Sequence, residues 1–316
     1  MNTWPDTLFQ LIQSVLVVTL APLLLGWINQ CRAWLQNRRG AGPLQPYREL
    51  HKLFHKEVVL AHHASALFRM APYIRFGSMW LAAAIVPVLA TDLPFSPAAD
   101  VIALVGVFAF SRVFLALAAM DVGTAFGSLG ARREMLVSFL AEPALLMVFF
   151  NASLISHSTQ LTTIVETLSH HTLMLHPSMA FAAAAFLMVL LAENARIPVD
   201  NPATHLELTM IHEAMTLEYS ARHLALIEWS SHIKLMTYTT LGIALFAPWG
   251  IAQAGDWRAV PLAVAALLFK LGLAGAGLAL LETLSAKLRL FRAPEFLGTA
   301  FLLAVLGLLT YFLRIS

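Results

Sequence analysis

Glu193-Asn-Ala-Arg-Ile-Pro-Val-Asp-Asn-Pro-Ala-Thr-His-Leu-Glu-Leu-Thr-Met-Ile-His-Glu-Ala-Met-Thr-Leu-Glu-Tyr-Ser-Ala-Arg222 is the stretch on which the reading of this chain turns. It carries Glu193, Asp200, Glu207, Glu213 and Glu218, and Glu228 follows shortly after. Six of the chain's eighteen acidic residues thus fall within thirty-six positions, between segments that are almost wholly apolar. A charge stranded at membrane depth costs roughly 3 kcal/mol on insertion scales, so the cluster needs a reason. A cavity that conducts ions, or a face that meets a partner, would supply one.

The composition around it is that of a membrane protein. Of 316 residues, 59% are hydrophobic and only 12% are charged, where a soluble domain carries about 25%. We read an all-α polytopic membrane protein, organised as one membrane domain over residues 1–316, without internal repeats or low-complexity segments. The first ten residues hold no Lys or Arg but do hold Asp6, and no small-residue cleavage site follows, so they read as the start of a first transmembrane helix. One cysteine, Cys31, excludes a disulfide framework and a thiolate-ligated iron–sulfur cluster. There is no Walker loop and no GxGxxG after a strand pattern. A net charge of +2 gives no sign of nucleic acid as a partner. If the chain serves a redox machine, electrons run through other subunits.

Apolar runs long enough to cross roughly 30 Å of hydrocarbon fall at about 7–31, 70–90, 101–120, 135–156, 179–195, 233–252, 259–283 and 295–313, which predicts eight spans. Basic residues gather in alternate connections. The first holds Arg32, Arg38, Arg39, Arg48, Lys52, Lys56, Arg69 and Arg75; the third Arg132 and Arg133; the fifth Arg196 and Arg222, with Lys234 at its edge; the seventh Lys287, Arg289 and Arg292. The even connections hold only Arg258, against Asp92, Asp100, Glu166 and Asp256. The positive-inside rule then places the odd connections in the cytoplasm and both termini outside.

The first connection opens with a turn at Gly40, Gly42 and Pro43 and continues as a short amphipathic helix. It suits either a surface helix on anionic lipid or a docking face for a cytoplasmic partner. His51 and His55 share a helix face, but Lys-Leu-Phe between them lacks the glutamate of a zinc protease, and no metal site is expected. The histidines of the fourth connection (His157, His170, His171, His176) read as a turn-rich cap. In the fifth connection Pro198 ends the preceding helix, and Asn201-Pro202 reads as the start of a new one running toward Trp229. On it Glu207 and Glu218 share a face, whereas the spacing of His205, His212 and His223 is too wide for one metal ion.

Several charges lie inside apolar segments. Glu134 and Glu142 are eight residues apart in span four, about 12 Å along a helix. An intramembrane acid is a proton-relay candidate, and Glu142, ahead of Pro143, is the better placed. Lys270 and Arg112 each call for an acidic partner or water, a plain structural ion pair being the simplest form of the first. Gly272, Gly275 and Gly277 suggest a close helix seam near Glu282.

Three motifs together resemble the complex I subunit 1 family, and its hydrogenase branch in particular. They are Asn37-Arg-Arg-Gly-Ala-Gly-Pro-Leu-Gln-Pro-Tyr-Arg48, Asp121-Val-Gly-Thr-Ala-Phe-Gly-Ser-Leu-Gly-Ala-Arg-Arg-Glu134 running on to Ala141-Glu-Pro, and Glu193-Asn-Ala-Arg-Ile-Pro-Val-Asp200. The resemblance covers essentially the whole chain. Complex I members carry Glu-Thr-Asn-Arg-Ala-Pro-Phe-Asp followed by a glutamate-rich run; the run after Asp200 here looks more like the membrane-bound, carbon-monoxide-induced or formate-hydrogenlyase-type nickel–iron hydrogenases. The resemblance implies a non-catalytic anchor subunit in a prokaryotic inner membrane. It implies partners too: a nickel–iron large subunit, an iron–sulfur small subunit and antiporter-like membrane subunits. The nickel–iron centre and the clusters would lie in those partners and none in this chain. Proton or sodium coupling would fall to Glu142, Glu193, Asp200, Glu207, Glu213, Glu218, Glu134, Asp121, Lys270 and Glu282. Docking would fall to Arg38, Arg39, Tyr47, Arg48, Arg132, Arg133 and Arg196. The alternative is the quinone-chamber subunit of an NADH:quinone oxidoreductase.

Overall fold

Within hydrocarbon every backbone amide must be satisfied inside its own segment, so the apolar runs fold as helices. The computed structural model describes residues 3–61, 63–91, 94–95, 98–170, 177–200, 211–252, 259–286 and 292–315. Its helices are α1 (Thr3–Leu35), α2 (Gln45–Phe54), α3 (Ala66–Ile85), α4 (Val101–Asp121), α5 (Ala125–Ser156), α6 (Leu161–His170), α7 (Pro177–Glu193), α8 (His212–Thr216), α9 (Ala221–Phe246), α10 (Val260–Leu284) and α11 (Ala293–Ile315). Among the described residues α1, α4, α5, α10 and α11 are long and apolar enough to cross a membrane. The other three expected spans coincide with α7, which is apolar but shorter, and with α3 and α9, which carry buried charge.

The helices pack through small residues, because lipid tails leave no hydrophobic drive between apolar helices and van der Waals fit decides. At the junction of α5, α7 and α11, Ala152, Ala182, Ala185, Ala300 and Ala304 are all buried. There Asn151 Nδ2 donates to the Ala304 carbonyl at 2.9 Å. Helices α3, α4 and α9 pack together, and α1 runs between α9 and α10. Of the expected glycine seam on α10 only Gly275 is close-packed: a Cβ there would lie 2.7 Å from Trp27, whereas Gly272 and Gly277 face open space. The short α2 lies on α1 and α9 with Pro46 and Leu50 buried, and its Tyr47 hydroxyl donates to the Thr19 carbonyl of α1.

The fifth connection departs from the single helix predicted for it. Residues 201–210, with Glu207 and His205, lie outside the described residues. Beyond them α8 stops at Thr216, a turn follows, and α9 begins at Ala221. No Pro or Gly marks that break, so tertiary contacts make it. Tyr219 stacks on Phe68 at 4.0 Å and its hydroxyl donates to the Phe68 carbonyl at 3.0 Å. The Ser220 hydroxyl bridges the Val59 backbone, accepting at 2.9 Å and donating at 2.7 Å. Arg75 also departs from its reading as a loop charge: it lies inside α3 and is buried.

At the opposite end of the bundle Asp100 caps α4. Its carboxylate accepts from Ile102 N at 2.7 Å and from the Thr159 hydroxyl at 2.7 Å, tying the start of α4 to the α5–α6 turn. Burial pushes this carboxyl up, but the Thr159 hydroxyl and the amides of Ile102 and Ala103 outweigh it and hold the carboxyl below its ordinary value. Asp100→Ala should lower stability by about 1 kcal/mol, the usual worth of an N-cap, read as a fall in the melting temperature of the purified protein. Because the folded pKa is the lower one, this stabilisation is present above the unfolded carboxylate pKa. The gap between wild type and variant should therefore close as pH falls through that range.

Candidate functional site

The core of the bundle holds one guanidinium surrounded by carboxylates. Arg112, on α4, is 6% exposed and bonds Glu142 Oε1 through Nη1 at 2.8 Å and Glu193 Oε2 through Nη2 at 2.5 Å. Glu134 Oε1 lies 3.6 Å from Nε, an ion pair too long for a hydrogen bond. Glu134 and Glu142, eight residues apart on α5, thus converge on one side chain. Lys234 of α9 completes the cluster, its Nζ 2.9 Å from Glu193 Oε2 and 2.6 Å from the Glu193 carbonyl. Tyr238, one turn on, is fully buried and stacks on Phe108 at 4.7 Å. Two cations therefore meet three carboxylates among four helices. Of the three carboxylates at Arg112, Glu193 is the most enclosed, with a side chain 2% exposed, whereas the Glu142 side chain is 33% exposed and reaches the flank of the bundle.

A polar cavity of about 270 Å³ opens nearby, lined by Arg32, Arg196, Asp200, Glu213, Glu228 and Glu282 among others. Glu282 of α10 pairs with Arg196 at 2.9 Å and Arg32 at 3.4 Å. Asp200 accepts from the His212 amide at 3.3 Å. Beside the cavity sits Arg75. Its Nε donates to the Ser230 hydroxyl at 2.8 Å and its Nη2 to that of Ser231 at 3.1 Å, with His212 Nε2 at 3.4 Å. Burial first, then the charges of Arg75 and Lys234, hold His212 well below its ordinary range, so it is neutral near pH 7 and can accept from Arg75.

The sequence-predicted residues therefore divide. Glu134, Glu142 and Glu193 meet at Arg112; Asp200, Glu213, Glu282 and Arg196 line the cavity. Asp121 lies apart, accepting from Ser65 N at the start of α3 at 3.0 Å. Glu218 is exposed in the turn before α9, and Arg38, Arg39, Arg48 and Arg132 are exposed around the same end of the bundle, with Arg133 half-buried. Lys270 does not find the acid expected of it. Its Nζ donates to the Ala247 carbonyl at 2.7 Å and to that of Trp249, and lies 4.1 Å from the centre of the Trp249 ring, which closes the end of α9. Lys270→Met should thus lower the melting temperature of the purified protein, since two part-buried carbonyls at the end of α9 lose their donor, at about 1 kcal/mol for an ordinary hydrogen bond. Arg75, Lys234 and Tyr238 do not stand out in the sequence as part of the site. A lysine or arginine near a helix end looks like a loop charge, and only packing shows otherwise.

Comparison with known proteins gives this geometry a family. A family model described as NADH dehydrogenase matches residues 8–313. The chain belongs to the NADH dehydrogenase family. Within it, formate hydrogenlyase subunit 4 of Escherichia coli is 31% identical over 302 residues, covering 96% of this chain and 97% of that protein. Hydrogenase-4 component C of the same organism is 35% identical over 247 residues, 78% and 77% of the two chains. An NADH-quinone oxidoreductase subunit of Syntrophotalea carbinolica is 28% identical over 265 residues, 76% of this chain and 79% of that one. In fold, a chain of the membrane-bound sulfane sulfur reductase, an archaeal respiratory membrane complex, superposes with a TM-score of 0.80 at 18% identity, over 96% of this chain and 98% of that one. This NADH dehydrogenase family member is thus a multi-pass membrane protein whose relatives are subunits of hydrogenase and respiratory complexes.

Proposed function

We propose that the chain is the membrane anchor of a complex I-like energy-converting hydrogenase in a prokaryotic inner membrane. Its basic loops hold a nickel–iron and iron–sulfur arm, and its buried acids pass the arm's redox events to ion movement in antiporter-like neighbours. The observation that carries this reading is the Arg112 cluster. A guanidinium shared by three carboxylates, one of them reaching the flank, is an arrangement whose proton occupancy responds to charge introduced nearby. The cavity supplies the other end. At roughly 30 Å³ per water it has room for several, and its lining is polar enough to hold them. Arg75 borders the cavity through His212 and Ser231, which line it, and so adds a further buried cation beside the acids there. In this orientation the cavity faces the cytoplasm and both termini lie outside.

The test is a mild-detergent pull-down of the tagged chain from its native membranes, assayed for nickel and for hydrogen-dependent reduction of a viologen dye. Nickel with activity is the expected result. An eluate without nickel that oxidises NADH with quinone would replace this reading with the oxidoreductase one.

A further inference from the structure

A second cavity lies away from the charged cluster, on the seam between α1 and α10. It has a volume of about 260 Å³ and is lined by Leu20, Leu23, Leu24, Trp27, Leu268, Leu271 and Gly272, with Pro43 at its rim. The α1 residues recur at the spacing of one helix face, and Trp34 continues that face two turns on. Trp27 and Trp34 meet edge to face at 5.8 Å, and Trp34 is 58% exposed. Three residues after α1 ends come Arg38 and Arg39, exposed and without an ion-pair partner among the described residues. The turn that carries them folds back so closely that a Cβ on Gly26 would overlap the Pro43 carbonyl. An apolar slot at bilayer depth thus ends toward an exposed Trp and two free guanidinium groups, the order in which a bilayer presents acyl chain, interface and headgroup.

We propose that this slot holds an acyl chain of one anionic phospholipid, whose phosphate lies against Arg38 and Arg39. Size argues for a lipid over a protein segment, since a helix with its side chains is about 10 Å across and a single turn of it exceeds a volume of about 260 Å³. Charge argues for an anionic headgroup. Gly272 makes the slot: a Cβ there meets nothing within 4 Å, so a larger side chain fills the space without disturbing α1. The inference depends on the chain's crossing a membrane, and it gives Arg38 and Arg39 to a headgroup in place of the docking role that the resemblance implies for them; the other basic loop residues are untouched by it.

The complex would be purified from its native membranes, washed with excess mild detergent, and its retained phospholipid extracted and counted per chain. The wild type should keep one anionic phospholipid, Gly272→Leu should lose it, and Arg38→Gln with Arg39→Gln should weaken anionic preference roughly fivefold per arginine. In parallel, an anionic phospholipid bearing a photoreactive acyl chain should label peptides spanning 20–27 and 268–272 in the wild type, which needs no variant to fold. Absence of that label, equal retention by Gly272→Leu, a neutral lipid or a quinone in the slot would each overturn the proposal.

Discussion

Arg112→Met should strip the chain from the membrane complex. The substitution removes the one group shared by Glu134, Glu142 and Glu193 and leaves the enclosed Glu193 carboxylate with Lys234 alone. Breaking a buried ion pair by removing one partner costs about 3–5 kcal/mol. A loss of about 1–2 kcal/mol already changes steady-state abundance several-fold in cells, so quantitative immunoblots of membranes should show a fall of about tenfold or more. The double variant Arg112→Met with Glu193→Leu separates charge from packing. Replacing both members of a buried pair by apolar groups of similar size is often neutral or stabilising, so its abundance should recover toward wild type, while the proposed coupled ion movement stays lost. Wild-type abundance of the single variant would mean that the cluster carries no stability, and that the carboxylates find other partners.

The same cluster shows what can be read from sequence. Apolar runs and the three motifs locate the helices, because in hydrocarbon length and hydropathy leave little choice but a helix. Glu142 and Glu193 are legible as acids that have to be explained, being costly where they lie. Their partner is less so: Arg112 stands out as an isolated charge, but pairing it with acids 30 and 81 residues away requires the packing of α5 against both α4 and α7. Lys270 shows the opposite failure. A lysine in an apolar run suggests an acidic partner, yet the open carbonyls at the end of α9 satisfy it, and nothing in the residue order signals that they lie within reach. Turns held by Tyr219 and Ser220 escape for the same reason, since neither residue is a helix breaker.

On the proposed coupling role, Glu142→Gln should leave the complex assembled and stop it from moving ions. The geometry separates the two effects. A glutamine in this place keeps an oxygen able to accept from Arg112 Nη1, now 2.8 Å from Glu142. Arg112 also keeps Glu193 and Glu134, so the neutral replacement removes one of three carboxylates from a cluster that holds an excess of one. What is lost is a group that can take and release a proton at the flank of the bundle. Positioned proton-transfer groups contribute typically about 10²–10⁴-fold to rate, so ion movement should fall by at least about 10²-fold. Hydrogen-dependent viologen reduction, which draws only on the arm, should persist. Inverted membrane vesicles carrying a pH-sensitive dye report the first quantity, and the viologen assay on the same vesicles reports the second. Loss of both, together with loss of the chain, would make Glu142 a structural partner of Arg112. Retention of both would move the relay to Glu193 and Glu134, whose substitution leaves Arg112 with correspondingly less.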